Sequence, residues 1–289
     1  MKNKQRTGVI RDYDMHSTGV KIGYGFIIVI CCLLVVVAVF PLVWVALAGF
    51  KDLREFMSST TLLPSSFSPE PYGTTWSQLG IDKNYLNSLI SVSGSVICAI
   101  VFNGLVGYGL GILKPRGYKI AKRLIMLSLL IPPTISIVPL FMNIQHIVNG
   151  PSFVPLWLSF GANAMYIILF TQFFESLPKS IIEASRIDGC NPLQTFFRIV
   201  LPLSKPICVV VAIFALNAAW SDFLLPYLLL RGSSLQTVMV RLFDFSTQQT
   251  VNEDDMMRSV VFAMIPPIIL FFIFQKQLTE NAISVGVKG

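Results

Sequence analysis

Six apolar stretches, each near the ~20 residues that a helix needs to cross a hydrocarbon layer of ~30 Å, constrain this chain more than any other feature. They run Ile22 to Ala48, Leu86 to Leu113, Leu124 to Ile144, Val154 to Phe174, Pro206 to Leu230 and Met256 to Phe274. Of 289 residues, 54% are hydrophobic and only 13% charged, and mean hydropathy is +0.68, which is outside the soluble globular class. The connectors are too short to hold a separate soluble domain of ~100 to 200 residues. The expected fold class is therefore all-α: a polytopic membrane protein with six transmembrane helices. Basic residues precede the first run, as in a signal peptide. The run is much longer than an h-region of ~7 to 15 residues and no clean small-residue cleavage site follows, so it is read as a span.

The net charge of +7 does not mark a nucleic-acid binder, because the 22 Lys and Arg are dispersed over short connectors. Five lie before the first span, five in Lys114 to Arg123, four in Glu175 to Lys205 and two after the last span, against three, none and three in the alternate connectors. By the positive-inside bias, both termini and the 175–205 connector face the cytoplasm. The first outside connector, with Pro64, Pro69 and Pro71 among Ser and Thr, reads as an irregular loop. Cys31, Cys32, Cys98, Cys190 and Cys208, with His16 and His146, show neither a disulfide pattern nor metal-ligand spacing, so no metal site is expected.

The stretch Glu183 to Pro202, EASRIDGCNPLQTFFRIVLP, is charged and turn-punctuated between two spans. Ile181, Ala184 and Ile187 recur at helical spacing, and Ser180 stands three residues before Glu183 as in a capping box. Gly189 tolerates positive φ and suits a helix stop. Asn191 as N-cap, Pro192 at the first helical position and Gln194 reaching back restart a second helix, which presents Phe196 and Phe197 before Pro202 and Pro206 end it. Two Phe rings on a water-facing hairpin call for a partner surface or for lipid headgroups, and the residues alone favour neither.

Glu183, Ala184, Ser185, Gly189, Ile199, Leu201 and Pro202 reproduce EAA, three residues, G, nine residues, I, any, LP, with Ser185 where Ala is usual. This resembles the cytoplasmic signature of permease subunits of ATP-binding-cassette importers, and EASRIDG and RIVLPLSKP resemble the carbohydrate-uptake branch. Asn87, Ser88 and Leu89 (NSL), Trp220 to Leu230 (WSDFLLPYLLL) and Val285 to Gly289 (VGVKG) extend the likeness over most of the chain. The resemblance implies a type I permease that forms half of a translocation pathway for a sugar, an oligosaccharide by expectation. It implies no enzyme activity and no bound cofactor: ATP and Mg belong to partner subunits, and no G-x-x-x-x-G-K-[ST] occurs here. Implied partners are a second, homologous permease in a heterodimer, two ATPase subunits and an extracytoplasmic solute-binding protein, in a bacterial plasma membrane. The hairpin would seat in the ATPase through Glu183, Ala184, Ser185, Asp188, Gly189, Phe196, Phe197, Leu201 and Pro202.

The expected division is a cytoplasmic tail over 1–21, a permease domain over 22–275 with its hairpin at 178–202, and a cytoplasmic tail over 276–289, which the resemblance sets against the ATPase pair. Asn103, Asn163, Asn217, Trp220, Asp222 and Tyr227 are the candidate translocation-path residues, for hydrogen bonding or stacking with sugars. Gly104, Gly107 and Gly111 read as helix-packing positions. Pro132, Pro133 and Pro139, and Pro266 and Pro267, should kink their spans. The recurrence of Ile-Pro-Pro at 131 and 265 admits an ion-coupled secondary transporter with inverted repeats; an importer permease for a non-sugar solute is the other alternative. No paired intramembrane Asp, H-E-x-x-H or Ser and His set supports a membrane-embedded enzyme.

Overall fold

The computed structural model describes residues 18–58 and 61–286. Most of the expected N-terminal tail and the end of the VGVKG motif lie outside the described residues. The chain forms helices α1 (Thr18–Ala48), α2 (Leu53–Ser58), α3 (Glu70–Leu79), α4 (Asp82–Tyr108) continuing into a π-helical turn (Gly109–Leu113), α5 (Tyr118–Ser128), α6 (Pro133–Ile147), α7 (Val154–Phe160), α8 (Ala164–Glu175), α9 (Lys179–Ile187), α10 (Pro192–Thr195) with a π turn (Phe196–Val200), α11 (Leu201–Leu203), α12 (Lys205–Ser221), α13 (Leu224–Leu230), α14 (Val238–Ser246) and α15 (Glu253–Gly286).

Among the described residues, α1, α4 with its π turn, and α15 are single helices long and apolar enough to cross a membrane; the other three spans are bent pairs, α5 with α6 at 108°, α7 with α8 at 48°, and α10–α11 with α12 at 83°. The bends have local causes. Pro132 and Pro133 open α6 and cannot donate into a continuing helix, so the chain turns there. Pro139, Pro266 and Pro267 stay inside helices. The first Ile-Pro-Pro thus breaks its span and the second does not. Through the expected C-terminal tail, α15 continues as helix to Gly286.

One compact unit comprises residues up to Gly73 together with Asn252–Val261. Within it, α1 exposes nearly its whole length, as an all-apolar helix does when its surroundings are lipid rather than protein. The connector expected to be irregular contains α2 and the start of α3, because Glu70 and Pro71 suit a first helical turn. Buried Arg258 donates to the Gly49 and Lys51 carbonyls at 2.7 and 2.8 Å and pairs with Asp254 and Asp255, each at 2.9 Å. A buried guanidinium needs that many acceptors to offset its lost hydration.

The second unit, Thr74–Val251 and Phe262–Gly289, is organised on α4, against which α7, α8 and α12 pack. The buried side of α4 is small and polar, with Ser88, Ser91, Ser95, Ala99, Asn103 and Gly107, whereas Leu86, Leu89, Ile97 and Phe102 face outward. This inversion is expected where lipid is as apolar as Leu and association depends on close approach. At Gly107, a Cβ would stand 2.6 Å from that of Phe170 and 3.1 Å from the Thr171 nitrogen. The Asn87-Ser88 pair in the second turn of α4 ties the helix to the chain around residue 236. Asn87 Nδ2 donates to the carbonyls of Ser234 and Gln236, and Ser88 Oγ accepts from Val238 N–H at 2.9 Å.

Candidate functional site

Two places collect the residues singled out by sequence. The first is the 178–203 hairpin. Its turn follows the expected chemistry: Gly189 has φ +77, and Asn191 and Gln194 form a reciprocal capping box at 2.8 and 2.9 Å with Pro192 in the first helical turn. Its first arm does not. The N-cap of α9 is Pro178, so Ser180 and Glu183 make no capping box, and the inward face carries Ile182 and Ser185 rather than Ile181, Ala184 and Ile187. Ile187 is 86% exposed.

Ser185, the departure from the usual Ala, is buried. Its hydroxyl donates to the Ile182 carbonyl at 2.7 Å and lies 3.2 Å from the Thr195 hydroxyl on the other arm. The two arms are therefore pinned by a hydroxyl pair, which sequence reasoning missed. The available signal was two small hydroxyl residues bracketing the Gly turn.

The pair Phe196 and Phe197 separates into two roles, contrary to the expectation that both form a partner seat. Phe196 is fully buried in this chain, 5.5 Å from the Tyr108 ring, in a cluster with Phe170, Phe174 and Val200. A ring with no surface cannot reach another subunit, so Phe196 anchors the hairpin to the membrane-embedded helices. Phe197 stays 46% exposed beside it, with Leu193 and Leu203 also exposed. Leu201 packs against the same core cluster; Pro202 is exposed and does not end the helix, which runs on to Leu203. The π turn spanning 196–200 places an extra residue ahead of Pro202, whose ring clashes in a regular α-helix. Glu183, Ala184 and Asp188 are exposed, and Glu183 lines a cleft with Lys114, Lys179 and Arg186.

The second place is a polar cleft of about 350 Å³ lined by Ser159, Phe160, Asn163, Tyr166, Ser221 and Asp222. It brings together two of the six candidate path residues, Asn163 and Asp222. The other four lie elsewhere. Asn103 is buried, donating to the carbonyls of Ala99 and Phe160 and accepting from Asn163 N–H at 2.8 Å, so its amide is fully used in packing. Trp220 is buried and donates from Nε1 to the Ala263 carbonyl at 3.1 Å. Asn217 edges an apolar cavity with Phe214, Pro267 and Phe271. Tyr227 belongs to an aromatic group with Phe223 and Phe243, with Arg231 4.7 Å above its ring.

Comparison with known proteins accords with this geometry. The chain is 27% identical to the diacetylchitobiose uptake system permease protein NgcG of Streptomyces coelicolor, over 87% of this chain and 84% of that protein. It is 29% identical to the arabinooligosaccharides transport system permease protein AraQ of Halalkalibacterium halodurans, over 93% of this chain and 95% of that protein. Its fold matches, at TM-score 0.79 and 22% identity over 90% of this chain and 98% of the other, a chain of a bacterial ABC transporter involved in import of the acidic polysaccharide alginate. Residues 103–282 match the family described as binding-protein-dependent transport system inner membrane component. A bent-span helical chain with an anchored hairpin and that match is a permease subunit of an ATP-binding-cassette importer rather than an enzyme or an ion-coupled carrier, and it belongs to that family.

Proposed function

We propose that this chain forms half of a translocation pathway for a saccharide, an oligosaccharide in particular, with its hairpin seated in a separate ATPase subunit. The observation that carries the reading is the hairpin's two-sidedness. Its inner side is fastened by Phe196, Ile182 and the Ser185–Thr195 pair, while Ile187, Leu193, Phe197 and Leu203 stand out from it. Each large apolar side chain left in water forgoes ~1.5 to 3 kcal/mol of burial, so such a cluster favours a partner's groove. A stiff, capped hairpin passes displacement on to the spans it joins, whereas a slack linker absorbs it.

The assembly that follows is a second homologous permease, two ATPase subunits that hold ATP and Mg, and an extracytoplasmic solute-binding protein. Membership of the family carries the need for an ATPase and a binding protein; the heterodimer and the cytoplasmic placement of both termini belong to the proposal, and the placement rests on the distribution of Lys and Arg. A saccharide is favoured over other solutes by the names of the relatives, which are oligosaccharide systems.

Gly189→Val tests the coupling. Val at φ +77 is strained, so the expected variant inserts and assembles but hydrolyses ATP without transport. Normal uptake by that variant in reconstituted vesicles counts against the hairpin's role. Uptake of labelled oligosaccharides by the assembled complex tests the solute class, and transport of none of them together with transport of an amino acid or a polyamine would refute it.

A further inference from the structure

We propose that the cleft holding Asn163 and Asp222 is a saccharide contact surface on this chain, and that Asp222 makes it favour neutral sugars over acidic ones; the inference rests on the saccharide reading above. The lining joins an amide (Asn163), two hydroxyls (Ser159, Ser221) and a carboxylate (Asp222) to the half-buried ring of Phe160, with the buried Tyr166 behind it. Sugars offer the matching chemistry: hydroxyls that donate and accept, and an apolar ring face that lies on aromatic carbon. Asn163 Oδ1 is committed to the Tyr166 N–H at 3.2 Å, so the amide offers its Nδ2 donor.

Asp222 stands at the break between α12 and α13, where the backbone leaves helical geometry (φ −66, ψ 123). Its carboxylate lies beside the backbone N–H groups of Leu224 and Leu225 and has acceptor capacity for a ligand. Among the described residues, no Lys, Arg or His lines the cleft. A uronic acid entering it brings a second carboxylate close to that of Asp222 with no cation in the lining to separate them. A neutral sugar meets only acceptors and a donor for its hydroxyls.

The test uses the assembled transporter in vesicles, with the five native cysteines replaced and Ser221→Cys added as a reporter in the exposed wall of the cleft. Labelling rates are measured with cationic and anionic methanethiosulfonates of similar size, each normalised to its reaction with a free thiol. The cationic reagent is expected to react at least about fivefold faster, and Asp222→Asn to bring the ratio near one. Raffinose in excess is expected to slow labelling while trigalacturonate does so only in the Asp222→Asn variant.

Equal rates for the two reagents, or a ratio unmoved by Asp222→Asn, overturn the charge assignment. Protection by neither sugar overturns the contact surface. Binding-protein-stimulated ATP hydrolysis by the unsubstituted complex is read in parallel. If it is present while the labelling predictions fail, this inference falls and the importer function stands; if it is missing from the unsubstituted complex, the importer reading itself fails.

Discussion

At the scale of single residues, neighbours in sequence have opposite environments. Phe196 is fully buried and Phe197 is half-exposed, and their substitution by Ala should separate stability from assembly. Phe196→Ala leaves a cavity under the hairpin and should cost about 3–5 kcal/mol, read as a lowered unfolding temperature in detergent. Phe197→Ala should leave that temperature nearly unchanged and reduce co-purification with the ATPase. Glycines on α4 and its π turn provide a second contrast. Gly107→Ala forces a methyl to within 3.1 Å of the Thr171 backbone nitrogen and should lower the yield of folded protein. Gly109→Ala meets no atom within 4 Å, so thermal unfolding should be unchanged or slightly improved. Which glycines pack closely was only partly legible in sequence. The spacing of 104, 107 and 111 pointed to one face, yet the tightness at 107 depends on where Phe170 arrives from α8.

At the scale of elements, the turn of the hairpin was readable and its packing face was not. Gly189, Asn191, Pro192 and Gln194 act on their own backbone within a few residues, so their chemistry does not depend on the rest of the molecule. Asn191→Ala removes the capping box and should cost about 0.5–2 kcal/mol locally, seen as faster amide exchange over 191–196 with exchange in α8 unchanged. The inward face of α9 depends instead on the rotation of that helix against Phe174 and Thr195. Helical spacing alone admits 181, 184 and 187 as readily as 182 and 185, and tertiary packing selected the latter. Breaks within spans were legible where prolines mark them: Pro132 and Pro133 stand at the first, and Pro202 and Pro206 flank the departure of α12 from the hairpin arm at Ser204.

Across the whole molecule, the order of apolar runs sets which connectors share a side of the membrane. In intact cells with native cysteines replaced, Asn149→Cys should react with an impermeant maleimide added outside, and Ile187→Cys only after the membrane is opened. Labelling of Ile187→Cys from outside would invert the proposed topology and remove the hairpin from any cytoplasmic ATPase. By itself the sequence determined that the chain lives in lipid, how many times its apolar runs can cross, where its hairpin turns and to which family it belongs, because transfer energies, proline breaks and caps are properties of short stretches. Only the tertiary structure decided that Phe196 faces inward, that Ser185 pairs with Thr195, and that Asn163 and Asp222 share a cleft while Asn103 and Trp220 are spent on packing. Those outcomes depend on which surfaces residues far apart along the chain present to one another, and no local pattern encodes that choice.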